Sequence, residues 1–273
     1  MNAMIEFVDT PCGWNPRTPA DLREKAVSGI SAWRSYSTAR FLDGLAPTIL
    51  HAIDLPDAPG DSGIRVELLP EPVARRWRSL GLRFATGTDL GGSDFPDILA
   101  CALDLIRAAP PLRGTVTGLC RALHVLAVSG MDLDVSYSDP ALPFSIFTSC
   151  TATAERNRVE RLAENIAHEA LHLQLTLVEN TEPLVIEAPD KSLVFSPWKN
   201  KWRNVSGLVH AIYVFGNLRC FWERVSSELP EFASFARARI ETIDGEMDAV
   251  RQFVTSDSLT ATGQRLVRSH LAS

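Results

Sequence analysis

The run 168-HEALH-172 is the one stretch of this sequence whose residue types and spacing spell out a chemistry. With 6 histidines and 16 glutamates in 273 residues, chance supplies roughly 0.008 such runs of the H-E-x-x-H form. Histidines at i and i+4 leave a helix from one face, about one turn apart, so His168 and His172 can turn ring nitrogens onto a single metal ion. Glu169 then stands beside the metal, in the position of the general base of a zinc peptidase. Two packed histidines with an incidental glutamate are the weaker reading.

Two histidines do not complete a site, and the candidates for a further ligand differ in quality. The metzincin extension fails, because Leu175 stands at its glycine and Val178 at its third histidine. Glu179 lies on the motif helix itself and Glu187 in a strand or loop. Neither is an attractive ligand of the thermolysin type, although Glu187 stays open. His210 is the better third donor. It sits early in an apolar helix, 206-SGLVHAIYVFGNLRCFWE-223, with Tyr213, Val214 and Asn217 on its face. His124 on an apolar helix, His51 beside a loop and His270 near the last residue are weaker. A closed structural site in a non-catalytic peptide-binding protein would need a fourth ligand such as Glu164, Glu179 or Glu187.

At 100° per residue, Leu162, Ala163, Ile166, Ala170, Leu173 and Leu177 form one apolar stripe, and the two histidines face the other way. Leu171 and Leu175 flank that second face. The spacing therefore predicts a helix buried all round, its histidine pair looking into the protein rather than into water.

Taken together, 135-VSYSDPALPFSIFTS-149, 168-HEALHLQL-175 and 196-SPWKNKWRNVSGLVHAIYVF-215 resemble the H-E-x-x-H peptide-modification proteins encoded with ribosomally made peptides. The resemblance covers about residues 130–225. It rests on the S-P-W run and on an arginine seven residues before a histidine in an apolar helix. Members of that family act as iron(II)- and 2-oxoglutarate-dependent peptide β-hydroxylases. For this chain the resemblance implies hydroxylation of a side-chain β-carbon of a precursor peptide, with Fe(II), 2-oxoglutarate and O2. It implies His168, His172 and His210 as the metal ligands, and Glu169 in orientation or proton transfer. Arg203 would hold the distal carboxylate of 2-oxoglutarate through a two-pronged hydrogen bond, with Lys199 as second choice and Ser196 and Trp198 shaping the pocket. The usual ferrous set has two histidines and a carboxylate. Three imidazoles also suit zinc, so the alternative is a zinc metallopeptidase or other hydrolase with Glu169 as general base.

The elements that must hold these residues are mainly helical, with a small β element: an α+β chain read as one compact domain with the metal site between two core helices. Residues 1–125 read as mostly helical, starting at Thr18-Pro19, with a strand at Ile64 to Leu69, a loop over 87–97 and helices over Ile98–Ala108 and Val116–Val128. The metal-site part, residues 126–273, opens with a hairpin of Leu133–Tyr137 and 144–150. It continues with helices over Ala154–Glu179 and from an N-cap at Ser206 to Leu229, around a turn-rich stretch from Asn180 to Asn204. Helices over 231–255 and 258–271 close it. They would pack within the chain or on a second copy, and the short turns favour the first.

Composition narrows the partners. Lys+Arg 27 against Asp+Glu 33 gives −6 and a pI near 5.6, with no cationic field of the kind a nucleic-acid backbone requires. No apolar run reaches the length of a membrane span. Five scattered cysteines without a C-x-x-C pair suggest neither a disulfide framework nor a zinc ribbon. A soluble, reduced, cytoplasmic protein is the expectation.

Overall fold

The computed structural model describes residues 48–53, 63–127, 135–139, 142, 144–149, 157–179, 182–186 and 193–271. Expectations for residues 18–45, for Leu133 and for Glu187 lie outside these. The described chain is mainly helical with a small mixed sheet. It divides into two compact units, one with the described residues up to Leu173 and the other with those from Gln174. The division falls inside a helix.

The first unit carries a five-stranded sheet in the order β1 (Thr48–Ile53), β2 (Ile64–Leu68), β3 (Ala122–Leu126), β5 (Ser145–Ser149), β4 (Ser136–Ser138). Its central pairings, β2 with β3 and β3 with β5, are parallel, and the outer two are antiparallel. The crossover from β2 to β3 holds α1 (Glu71–Arg78), α2 (Gly87–Gly91), α3 (Phe95–Arg107) and α4 (Pro110–Leu119). Pro96 sits in the first turn of α3, where its missing N–H costs nothing. Phe95, Ile98, Leu99, Ala102, Leu103, Leu105 and Ile106 make the buried stripe of that helix. The loop expected over 87–97 contains α2, closed by a capping box in which Thr86 and Asp89 satisfy each other's backbone N–H.

The helix expected over Val116–Val128 is corrected. α4 ends at Leu119, Cys120 turns extended, and Ala122–Leu126 is a strand buried at every residue. A strand covered on both faces is apolar without alternation, so its pattern does not separate it from a buried helix. His124 therefore lies on β3, not on a helix, and its Nδ1 is 3.0 Å from the Glu67 carbonyl oxygen.

The long helix α5 (Arg158–Glu179) runs from the first unit into the second. The second unit then has a hairpin of β6 (Leu193–Ser196) and β7 (Lys201–Asn204), followed by α6 (Val205–Glu228), α7 (Ala233–Asp248) and α8 (Ala261–Leu271). β7 was not expected. The N-cap of α6 is Asn204 rather than Ser206, its side chain accepting the Gly207 N–H at 2.9 Å. The helix expected over 231–255 is shorter, with 3₁₀ turns at Pro230–Phe232 and Arg251–Thr255 around α7. Where α8 begins, a Cβ on Gly263 would stand 2.0 Å from the Leu184 carbonyl oxygen, so only glycine fits.

Cys101 and Cys120 are free thiols, and burial pushes the Cys120 thiol up to about 12. Cys220 on α6 is disulfide-bonded, which corrects the expectation of a fully reduced chain. Bonding needs closeness in space, and spacing along the chain does not reveal it. No helix among the described residues is long and apolar enough to cross a membrane.

α8 lays His270 against Gly216 of α6, with His270 Nδ1 2.8 Å from the position a Cβ there would take. Burial pushes the imidazole down to about 4 from its usual 6.5. Between those values the unfolded chain takes up a proton that the folded chain refuses. The stability tied to a neutral His270 is thus complete above about pH 6.5 and drains away as pH falls towards 4, by an amount of order 3 kcal/mol. Urea unfolding at pH 7 and pH 4.5 should show this loss, and His270→Asn should remove most of it.

Candidate functional site

α5 is held from its start by Arg158, whose guanidinium makes a two-pronged pair with Asp94 at 2.6 and 2.9 Å. None of its residues from Arg158 to Glu179 is exposed, as the two apolar faces in the sequence require. Ala163, Ile166, Ala167, Ala170, Leu171 and Leu175 are wholly out of water. His168 and His172 themselves are half-buried, so the helix is shielded on every side without being buried all round.

The two motif histidines meet. His168 Nε2 and His172 Nε2 are 3.1 Å apart, their rings edge to face with centroids at 4.7 Å. Two nitrogens, each bonded at about 2.1 Å to one cation, would stand at this separation when the angle between the bonds is about 95°. The pair therefore fits two neighbouring ligand positions of a metal ion.

Glu169 is held by donors on a neighbouring strand. It is 4% exposed, and each carboxylate oxygen accepts a hydroxyl hydrogen bond. Ser136 Oγ donates to Oε1 and Ser138 Oγ to Oε2, both at 2.8 Å. Oε1 is also 4.0 Å from Nε2 of His168, the residue before it in the chain. One donor on each oxygen suits the ionised carboxylate and fixes its direction.

Strand periodicity explains the two serines. Ser136 and Ser138 are two residues apart on β4 and share one face. Tyr137 between them turns the other way, into a cluster with Val73, Trp77, Leu126 and Phe147. There Trp77 Nε1 donates to Tyr137 Oη at 2.7 Å and to Asp139 Oδ2 at 3.0 Å, and Tyr137 Oη donates to the same Asp139 oxygen at 2.6 Å. This buried triad pins the strand that offers the serines. Reasoning from the sequence assigned no role to Ser136 or Ser138. The S-Y-S alternation puts two serines on one strand face but does not say which helix lies opposite.

The remaining candidates lie in the second unit. His210 on α6 has its Nε2 2.8 Å from Glu179 Oε2. Arg203 on β7 is half-buried, and its guanidinium crosses the first turn of α6, Nε and Cζ 3.2 Å from where a Cβ on Gly207 would be. Ser196 is wholly buried, and neither its hydroxyl nor the indole N–H of Trp198 has a hydrogen-bond partner among the described residues. Lys199 is exposed on the 3₁₀ turn Pro197–Lys199. Trp198 stacks on Phe215, with ring centroids 5.1 Å apart and planes 3° from parallel. Within the first unit His168 thus meets His172 and Glu169 meets its serines, and within the second His210 meets Glu179. Among the described residues, no three His, Cys, Asp or Glu side chains are grouped to hold a metal ion.

Neither a model of a known protein family nor a curated protein matches this chain.

Removing either serine hydroxyl leaves one oxygen of a buried carboxylate without that donor. Ser136→Ala and Ser138→Ala should each cost about 1–3 kcal/mol. Denaturant unfolding of the two variants, alone and combined with Glu169→Gln, checks this. In the Glu169→Gln background, which has no charge to satisfy, the serine substitutions should cost clearly less.

Proposed function

We propose that this chain is a non-haem Fe(II)- and 2-oxoglutarate-dependent oxygenase that hydroxylates a side-chain β-carbon of a ribosomally synthesised precursor peptide. The observation that carries the reading is the state of Glu169. A general base must receive a proton on an oxygen free to turn towards it. Here both oxygens already accept hydroxyl hydrogen bonds, which suits a fixed carboxylate that balances the charge of a cation beside it. That favours the oxygenase over a zinc hydrolase built on the same motif.

His168 and His172 would hold the metal through Nε2. His210 is the proposed third ligand. With Nε2–H given to Glu179, its lone pair is on Nδ1, and the carboxylate fixes both tautomer and ring direction. When bound, ferrous iron with 2-oxoglutarate and O2 supplies the oxidising power: the co-substrate becomes succinate and CO2 while a C–H bond of the peptide becomes C–OH.

The hairpin has the features needed at the anionic end of the co-substrate. Ser196 pairs with Lys201 and Val194 with Arg203, so Ser196 and Arg203 are diagonal neighbours on one face. Arg203 has no ion-pair partner among the described residues, and it lies at the positive end of α6. Arginine, an unpartnered buried hydroxyl and a helix N-terminus all favour a carboxylate. Lys199 is the nearby alternative cation. The reading places the enzyme in the cytoplasm, where such peptides are made.

Protein reconstituted anaerobically with Fe(II) and 2-oxoglutarate should develop a weak visible charge-transfer band, and succinate should form with a substrate peptide. Arg203→Ala should keep the metal but weaken 2-oxoglutarate by about 30–100-fold, the worth of one charge-assisted pair. His210→Ala should lower metal affinity sharply. Tightly held zinc, peptide cleavage without O2 or 2-oxoglutarate, and near-complete loss on Glu169→Ala would instead establish the hydrolase.

A further inference from the structure

The β6–β7 hairpin has a second face. Leu193 pairs with Asn204 and Phe195 with Trp202, and partners across an antiparallel pair share a face. Leu193 is 57% exposed, Phe195 45% and Trp202 65%. The Phe195 and Trp202 rings meet edge to face, centroids 6.0 Å apart. Large apolar side chains left in water forgo the gain of burial, so three on one small sheet form a surface built to be covered.

Charge says by what. Residues 191–204 contain three of the four lysines of the whole chain, together with Arg203, and no aspartate or glutamate, and Lys201 and Arg203 lie on the face opposite the aromatic pair. Once these four cations are set aside, the rest of the chain carries −10. Lysines on an open strand also prevent unwanted pairing, which accounts for the cations but not for the exposed aromatic pair. A second copy docking face to face would bring like charge to like. A polyphosphate strand would meet repulsion as soon as it left the hairpin. A short acidic segment with apolar side chains satisfies both features. No further strand joins β6 or β7 among the described residues, so the hairpin offers an edge for such a segment to extend.

We infer that the open edge of the 193–204 hairpin takes up an acidic, extended peptide segment as a further strand, with apolar side chains beside Phe195 and Trp202 on one face and alternating acidic side chains beside Lys201 on the other. On the function proposed above, this segment belongs to the peptide substrate, away from the residue that reacts. The docking itself does not depend on the metal.

The test uses a fluorescein-labelled synthetic decapeptide alternating Glu with Leu and Phe, titrated with the full chain in EDTA and read by anisotropy. Saturable binding is expected, weakening as salt rises and falling about tenfold or more in Lys201→Glu and in Trp202→Ser. Both positions are exposed, so thermal melting should confirm an unchanged fold. No saturable binding to the parent, equal binding of the peptide with Lys in place of Glu, or unchanged affinity in both variants would overturn the inference. So would tighter binding of a ten-residue thymidine oligonucleotide, or a dimer in sedimentation that Trp202→Ser abolishes. Because EDTA removes the metal, these outcomes are independent of whether succinate forms in the oxygenase assay.

Discussion

Glu169 is a carboxylate on a helix with no exposed residue, and two serine hydroxyls on a neighbouring strand meet its two oxygens. A buried charge without partners costs several kcal/mol, so this contact constrains the elements around it. α5 must lie across β4 at one azimuth, because a rotation by one residue would remove the carboxylate from both donors. The same azimuth sets His168 and His172 on their common face. The direction in which the histidine pair faces is thus tied to the polar contact of Glu169.

The contact transfers the demand for precision to β4, which is three residues long and lies at the edge of the sheet. A strand so short has little backbone pairing of its own. Its position comes from Tyr137, whose ring lies 5.0 Å from that of Phe147 and whose hydroxyl shares Asp139 with the Trp77 indole. Hydrophobic packing places the strand, and the buried polar triad selects one register within that packing. The site is supported through two layers, only one of which carries groups of evident chemistry.

That layering explains what could be read in the sequence. The H-E-x-x-H helix was legible because two features coincided in it, a rare polar motif and apolar residues on both flanks of its face. The partners of Glu169 were not, because S-Y-S is short and serine is common, and nothing local says which helix will lie opposite. The β3 segment, A-L-H-V-L, was misread for a related reason: burial on both faces erases the alternation that marks a strand. At the start of α6, Ser206 and Asn204 are both good caps, and Asn204 prevails because the chain reaches the helix directly from β7. The pairing of His210 with Glu179 depends on packing between distant residues, which spacing alone does not encode.

The parallel core of the sheet bears on how the chain acquires the site. β2 and β3 become neighbours only after four intervening helices are accommodated, a non-local closure that is slow to form. β4 and β5, by contrast, pair locally and precede α5 in the chain. During synthesis from the N-terminus the hydroxyl donors therefore exist before the carboxylate that they receive. The order of the elements spares the nascent protein a stage in which Glu169 has been translated and its cradle has not.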